Sequence, residues 1–117
     1  MERMNFFMQY DVIIIGAGPG GIFSAYELTK HNENLKIAIF EAGHSLEKRH
    51  CPIDGKKITS CIHCKSCSIM SGFGGAGAFS DGKYNITNDF GGTLYEYIGK
   101  EKAIKLMHYV DDINMAF

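Results

Sequence analysis

Residues 12–23 read VIIIGAGPGGIF. Four β-branched apolar residues run into Gly16-Ala17-Gly18-Pro19-Gly20-Gly21, and apolar residues then resume. Tyr10 to Ile15 has the makeup of a buried strand. Gly21 to Lys30 reads as a helix whose apolar face carries Ile22, Ala25, Tyr26 and Leu28. The glycines stand in the order GxGxxG between strand and helix, the setting in which that spacing carries chemistry. Gly16 permits the tight turn, Gly18 removes the side chain that would hold a diphosphate off the backbone, and Gly21 lets the helix close on the strand. Pro19 and Gly20 complete a helix start whose unpaired amides and dipole offer an anion site without any basic residue.

Working outward, Asn32 and Asn34 suit the turn that leaves this helix, and Leu35 to Glu41 (LKIAIFE) reads as a second buried strand. The two strands should be parallel, joined by a right-handed crossover, so residues 10–43 form a βαβ nucleotide-binding unit of an α/β, Rossmann-like fold. Glu41 stands twenty positions beyond Gly21. A carboxylate there can accept both hydroxyls of an adenosine ribose and repels a 2′-phosphate. FAD or NAD is therefore expected in preference to NADP.

Residues 44–71 lose periodicity and form a loop-rich, cysteine-containing excursion. Residues 72–91 open on a second glycine-rich stretch, GFGGAGAFSDGK at 72–83. Glycines at 72, 74, 75 and 77, around Ala76, free the backbone to approach a ligand, and Ser80 and Lys83 can donate to phosphate or flavin oxygens. A hinge is the competing reading of the same stretch. Residues 92–117 place Leu94, Ile98, Ile104, Met107, Val110, Ile113 and Phe117 at helical spacing with one break near Gly99, so two helices are expected.

The stretches DVIIIGAGPGGIFSAYEL and KIAIFEAG resemble the N-terminal FAD-binding segment of flavoprotein oxidoreductases. The run from Arg49-His50-Cys51-Pro52 through Cys61, Cys64 and Cys67 into SGFGGAGAFSDGKYN resembles the uncharacterised FAD-dependent dehydrogenases of bacteria and archaea. The likeness covers nearly the whole chain. It implies FAD on Gly16, Gly18, Pro19, Gly20, Gly21 and Glu41, and cofactor contact by Gly74, Gly75, Ala76, Gly77, Ser80 and Lys83. It also implies a longer enzyme, whose flavin ring, small-molecule substrate and any NAD(P) site lean on residues beyond Phe117. Activity would then depend on that C-terminal portion or on an oligomeric partner. Independently, two strands are too few for a covered parallel sheet and would leave Ile13, Ile15, Ile37 and Ile39 poorly covered, so the chain is expected to be the N-terminal part of a domain.

The chain has 117 residues, 45% hydrophobic and 21% charged, with 14 glycines. Twelve Lys plus Arg face 13 Asp plus Glu, and no run of consecutive Lys or Arg exceeds the two of Lys56-Lys57, which argues against nucleic acid or an anionic membrane as partner. The apolar run before Gly16 is too short for a secretory leader or a membrane span, so a cytoplasmic location is expected. Cys61, Cys64 and Cys67 form C-x2-C-x2-C, with Cys51 ten positions upstream. Metal or iron-sulfur ligation, a redox pair and unligated thiols all remain open, with His50 and His63 adjacent. His31 suits the helix C-terminus. Tyr95, Tyr97 and Tyr109 suit packing, and the adjacent Asp111 and Asp112 diverge on a helix. No catalytic residue is assigned.

Overall fold

The computed structural model describes residues 8–89 and 91–116. The chain divides into two compact units, Met1–Ser80 and Asp81–Phe117. In the first, β1 (Val12–Ile15) leads into α1 (Pro19–His31) and then β2 (Ile37–Phe40). The strands are parallel and paired Val12 to Ile37 through Ile15 to Phe40. At one end, Asp11 N–H donates to the Lys36 carbonyl (2.9 Å) while Lys36 N–H donates to Asp11 Oδ2 (2.8 Å). At the other, Gly16 N–H donates to the Phe40 carbonyl (2.7 Å), so the ladder runs to the last residue before the turn.

The turn then reverses at Gly16, whose φ of 101° lies where residues bearing a Cβ are strained. Helix α1 begins at Pro19, two residues ahead of the sequence-based start at Gly21, because the fixed φ of proline and its missing N–H suit the first helical position. A Cβ on Gly21 would stand 2.0 Å from the Gly16 carbonyl oxygen and 3.3 Å from Ile14 Cγ2. Helix and strand touch there backbone to backbone. Ile22, Ala25 and Leu28 are half-buried, as the helical period requires. Tyr26, expected beside them, is 37% exposed and packs instead edge-on to Phe23 and under the Lys30 ammonium. His31 closes the helix, with Nε2 3.8 Å from Glu27 Oε2.

The two-stranded sheet is thinly covered. Ile13 is 57% exposed and Ile15 81%, whereas Ile37 is half-buried. Beyond β2 the first unit is loop and 3₁₀ turns, at Leu46–Lys48 and Gly75–Phe79. Those loops are organised by a charge. The Arg49 side chain is 2% exposed; its Nε donates to the Ser68 carbonyl (2.8 Å), one terminal nitrogen to Ile69 (2.7 Å) and the other to Phe73 (2.6 Å). Its guanidinium also lies 4.9 Å from the Phe79 ring centroid. Each charge-assisted bond contributes about 1.5–3 kcal/mol, which together offset a desolvation cost of several kcal/mol for the buried ion.

In the second unit, α2 (Leu94–Ile98) and α3 (Lys100–Met115) meet at Gly99, the expected break. Ile104, Met107, Val110 and Ile113 share the half-buried side of α3, and Ala103 is fully buried. Tyr95 and Tyr109 are also half-buried, whereas Tyr97 is 82% exposed and packs on nothing that the packing reading requires. Phe117, the last residue of the apolar series, lies outside the described residues. No helix among the described residues is long and apolar enough to cross a membrane.

Two substitutions test this account by urea unfolding. Gly21→Ala, forced against backbone, should cost about 3 kcal/mol. Arg49→Met keeps the volume but strands three carbonyls, and should cost roughly 3–5 kcal/mol, enough to unfold a marginal domain. An unchanged midpoint for either variant contradicts the packing described.

Candidate functional site

The N-terminus of α1 is chemically open. Its cap, Gly18, brings no side-chain bond, Pro19 occupies the first helical position, and the first turn holds no acidic residue. The first intrahelical bond runs from Ile22 N–H to the Gly18 carbonyl (3.0 Å), so the amides of Gly18, Gly20 and Gly21 precede the helix ladder. A Cβ on Gly18 or Gly20 would meet nothing within 4 Å. Gly21 is thus occupied by the fold, and Gly18 and Gly20 face free space.

Glu41, one residue past β2, turns its carboxylate back to this turn. Oε2 accepts from Ala17 N–H and Oε1 from Gly43 N–H, both at 2.8 Å. Those bonds, that of Ala17 first, hold its pKa below the ordinary 4.5 against a small opposing effect of burial, and the Arg49 charge adds to the lowering. The group is therefore ionised at neutral pH. A carboxylate accepts about four bonds in all, so acceptor capacity beyond these amides remains, reduced by a further contact from the Ala42 amide. Next to it lies a cavity of about 460 Å³ lined by Glu41, His44, Leu46, Glu47 and Phe73 among others.

The second glycine-rich stretch packs onto the first. Gly74 N–H donates to the Ala17 carbonyl (2.8 Å), and a Cβ on Gly75 would stand 3.1 Å from Pro19 Cδ and 3.2 Å from Gly18 Cα. Phe73 N–H donates to the His44 carbonyl (3.0 Å), and a Cβ on Gly43 would stand 2.6 Å from the Gly72 backbone. The missing side chains at 72, 74 and 75 thus make room for the protein's own groups: Arg49 and the His44 carbonyl at 72, Ala78 at 74, and Pro19 and Gly18 at 75. Gly77 alone of the four faces open space. Ala76 is exposed within the 3₁₀ turn that Ser80 caps. Lys83 falls in the second unit, with its ammonium 3.4 Å from Asp81 Oδ2.

Sequence reasoning missed Arg49. A lone Lys-Arg pair in a loop gives no sign that one member is buried; only the glycines crowded at 72–75 could have suggested that something large was packed there. It also missed Asp54, whose Oδ1 accepts from the amides of Lys56 (2.8 Å), Lys57 (2.8 Å) and Ile58 (2.9 Å), closing the loop between Cys51 and Cys61. The four cysteines are free and exposed, yet all line one pocket of about 220 Å³ with Pro52, Ile53, Ile62 and His63. Among the described residues, no group of three or more His, Cys, Asp or Glu side chains is placed to hold a single metal ion. His63 adopts φ 53°, a left-handed conformation costing on the order of 1 kcal/mol, and its N–H points to Cys61 Sγ at 3.4 Å.

These elements define a βαβ unit with an amide-lined helix start and an acid at the end of its second strand. The Thi4 family matches residues 1–47, which hold that unit and stop short of the cysteines and the second glycine-rich stretch. An uncharacterized protein of Clostridium beijerinckii is 35% identical over 71 residues, covering 61% of this chain and 13% of that protein. Thiamine thiazole synthases of Yarrowia lipolytica and Sulfolobus acidocaldarius are 50% identical over 42 residues and 49% over 41, covering 36% and 35% of this chain and 13% and 15% of theirs. The chain thus spans about a seventh of the curated relatives it matches. No solved structure matches.

Glu41 yields a pH prediction. Because its folded pKa is lowered, its contribution to stability is present above the unfolded value near 4.5 and is lost as pH falls through the folded one. Thermal unfolding followed from neutral to acid pH should show this loss, and Glu41→Gln should be less stable at neutral pH with a flatter acid limb. Parallel curves for the two proteins exclude the two amide bonds as its source.

Proposed function

We propose that this chain is the FAD-binding N-terminal portion of a flavin-dependent oxidoreductase. The observation that carries the reading is the pairing of open Gly18 and Gly20 backbone with an ionised Glu41 tied to the same turn through Ala17. The diphosphate would sit on the amides of Gly18, Gly20 and Gly21, favoured by the helix dipole. The remaining acceptor capacity of the Glu41 carboxylate would take a ribose hydroxyl. The adenine would enter the adjoining cavity of about 460 Å³, within the range of small-molecule sites, where Leu46 and Phe73 present apolar surface. Bound FAD would supply the electron or hydride transfer, while this chain anchors the ADP half and fixes its direction. Gly74, Gly75 and Ser80 would then act by bracing the cradle, and Gly77 and Ala76 by bordering it. The small-molecule substrate belongs to the remainder of the enzyme.

A second reading, a thiazole-forming enzyme, draws on the high identity to thiamine thiazole synthases. That family match ends at residue 47, whereas the cysteine excursion and GGAGAFSDGK segment, which carry the resemblance to FAD-dependent dehydrogenases, lie beyond it. The dehydrogenase class is therefore preferred.

Titration calorimetry of the chain with FAD and with ADP should give similar affinities, because only the ADP half is held. A 2′-phosphate on the ribose should weaken binding by roughly 1.4 kcal/mol or more, a factor of ten. Gly18→Ala should fold with stability changed by less than about 0.5 kcal/mol and lose the nucleotide. Undiminished affinity in that variant refutes the site.

A further inference from the structure

The cysteine pocket shares no lining residue with the cavity beside Glu41. Four thiols drawn from 17 residues ring one cavity of about 220 Å³, but no three acid, histidine or thiol groups among the described residues converge on a point. A lone zinc ion held at about 2.3 Å by each sulfur needs such convergence. A polynuclear cluster does not, because its inorganic core separates the ligating sulfurs. Pro52, Ile53 and Ile62 supply apolar walls beside the thiols, although the site is open to solvent. The His63 amide already donates toward Cys61 Sγ at 3.4 Å, the kind of N–H to sulfur bond that stabilises a thiolate and tunes a cluster.

Spacing agrees with geometry. Three cysteines at C-x2-C-x2-C and one remote cysteine followed by proline are the ligand types of bacterial ferredoxins, with the remote Cys51-Pro52 placed before the triplet rather than after it. No helix or strand spans residues 49–74; the Arg49 bonds to Ser68, Ile69 and Phe73 and the Asp54 loop instead hold the segments that carry Cys51, Cys61 and Cys67, apart from the βαβ unit.

We propose that Cys51, Cys61, Cys64 and Cys67 ligate one 4Fe–4S cluster. Loading requires no redox step when the core is supplied preformed: each protein thiol displaces one thiolate of a synthetic cluster and passes its proton to the departing thiolate.

The test is anaerobic transfer of a synthetic 4Fe–4S thiolate cluster to the full chain, followed by gel filtration and assay of iron and labile sulfide. The expected result is one cluster per chain, with broad visible absorption that bleaches on reduction. Single Cys→Ala variants at 61, 64 and 67 should lose it, with far-ultraviolet circular dichroism unchanged because the side chains are exposed. Iron-free protein after filtration overturns the proposal. So does equal iron retention by a variant lacking all four cysteines, or uptake of one zinc ion that blocks cluster transfer.

Discussion

The first unit depends on a single peptide group held at both ends. The Phe73 carbonyl accepts from the buried Arg49 guanidinium at 2.6 Å, and the N–H of the same peptide, on Gly74, donates to the Ala17 carbonyl at 2.8 Å. A positive charge behind the carbonyl polarises the peptide and strengthens its amide as a donor. Ala17 in turn gives its own N–H to Glu41. Three stretches far apart in sequence are thus fixed through one chain of bonds: the glycine turn, the end of β2 and the second glycine-rich segment. Ala17, 1% exposed, lies where they meet.

This arrangement places opposite charges on either side of the turn. Arg49 faces the loop carbonyls and Glu41 the turn amides, and each influences the other through space rather than by contact. The outcome is a backbone held from the protein's side, leaving its outer amides free to face a ligand. Rigidity of that kind would reduce the ordering cost of binding for any anion seated at that turn, since the turn would not have to form around it.

The sequence made the βαβ unit legible because its signals are local: β-branched strand residues, glycines at fixed offsets and an acid after β2, although the helix start at Pro19 was not among them. Gly99 as the break between two C-terminal helices was legible for the same reason. What stayed hidden was non-local. The glycines at 72, 74 and 75 were read as serving a ligand or a hinge, and their packing against Arg49, His44, Ala78 and Pro19 cannot be seen without the fold. Nor does any local pattern distinguish a buried arginine from a solvated one; Arg49 is buried because three carbonyls happen to converge on it. Tyr26 was assigned to the covered face by period alone, but it stands 37% exposed at the edge of a face covered by Ile22, Ala25 and Leu28.

The paired strands have a further consequence. Val12–Ile15 and Ile37–Phe40 bond to one another, and Ile15 and Phe40 at their ends stand 81% and 55% exposed. A two-stranded pair of this sort has an outer flank on each strand, and each flank presents backbone N–H and C=O groups to which a further strand can bond. The half-covered isoleucines and the unpaired strand edges thus fall on the same small element, so one added strand would satisfy both.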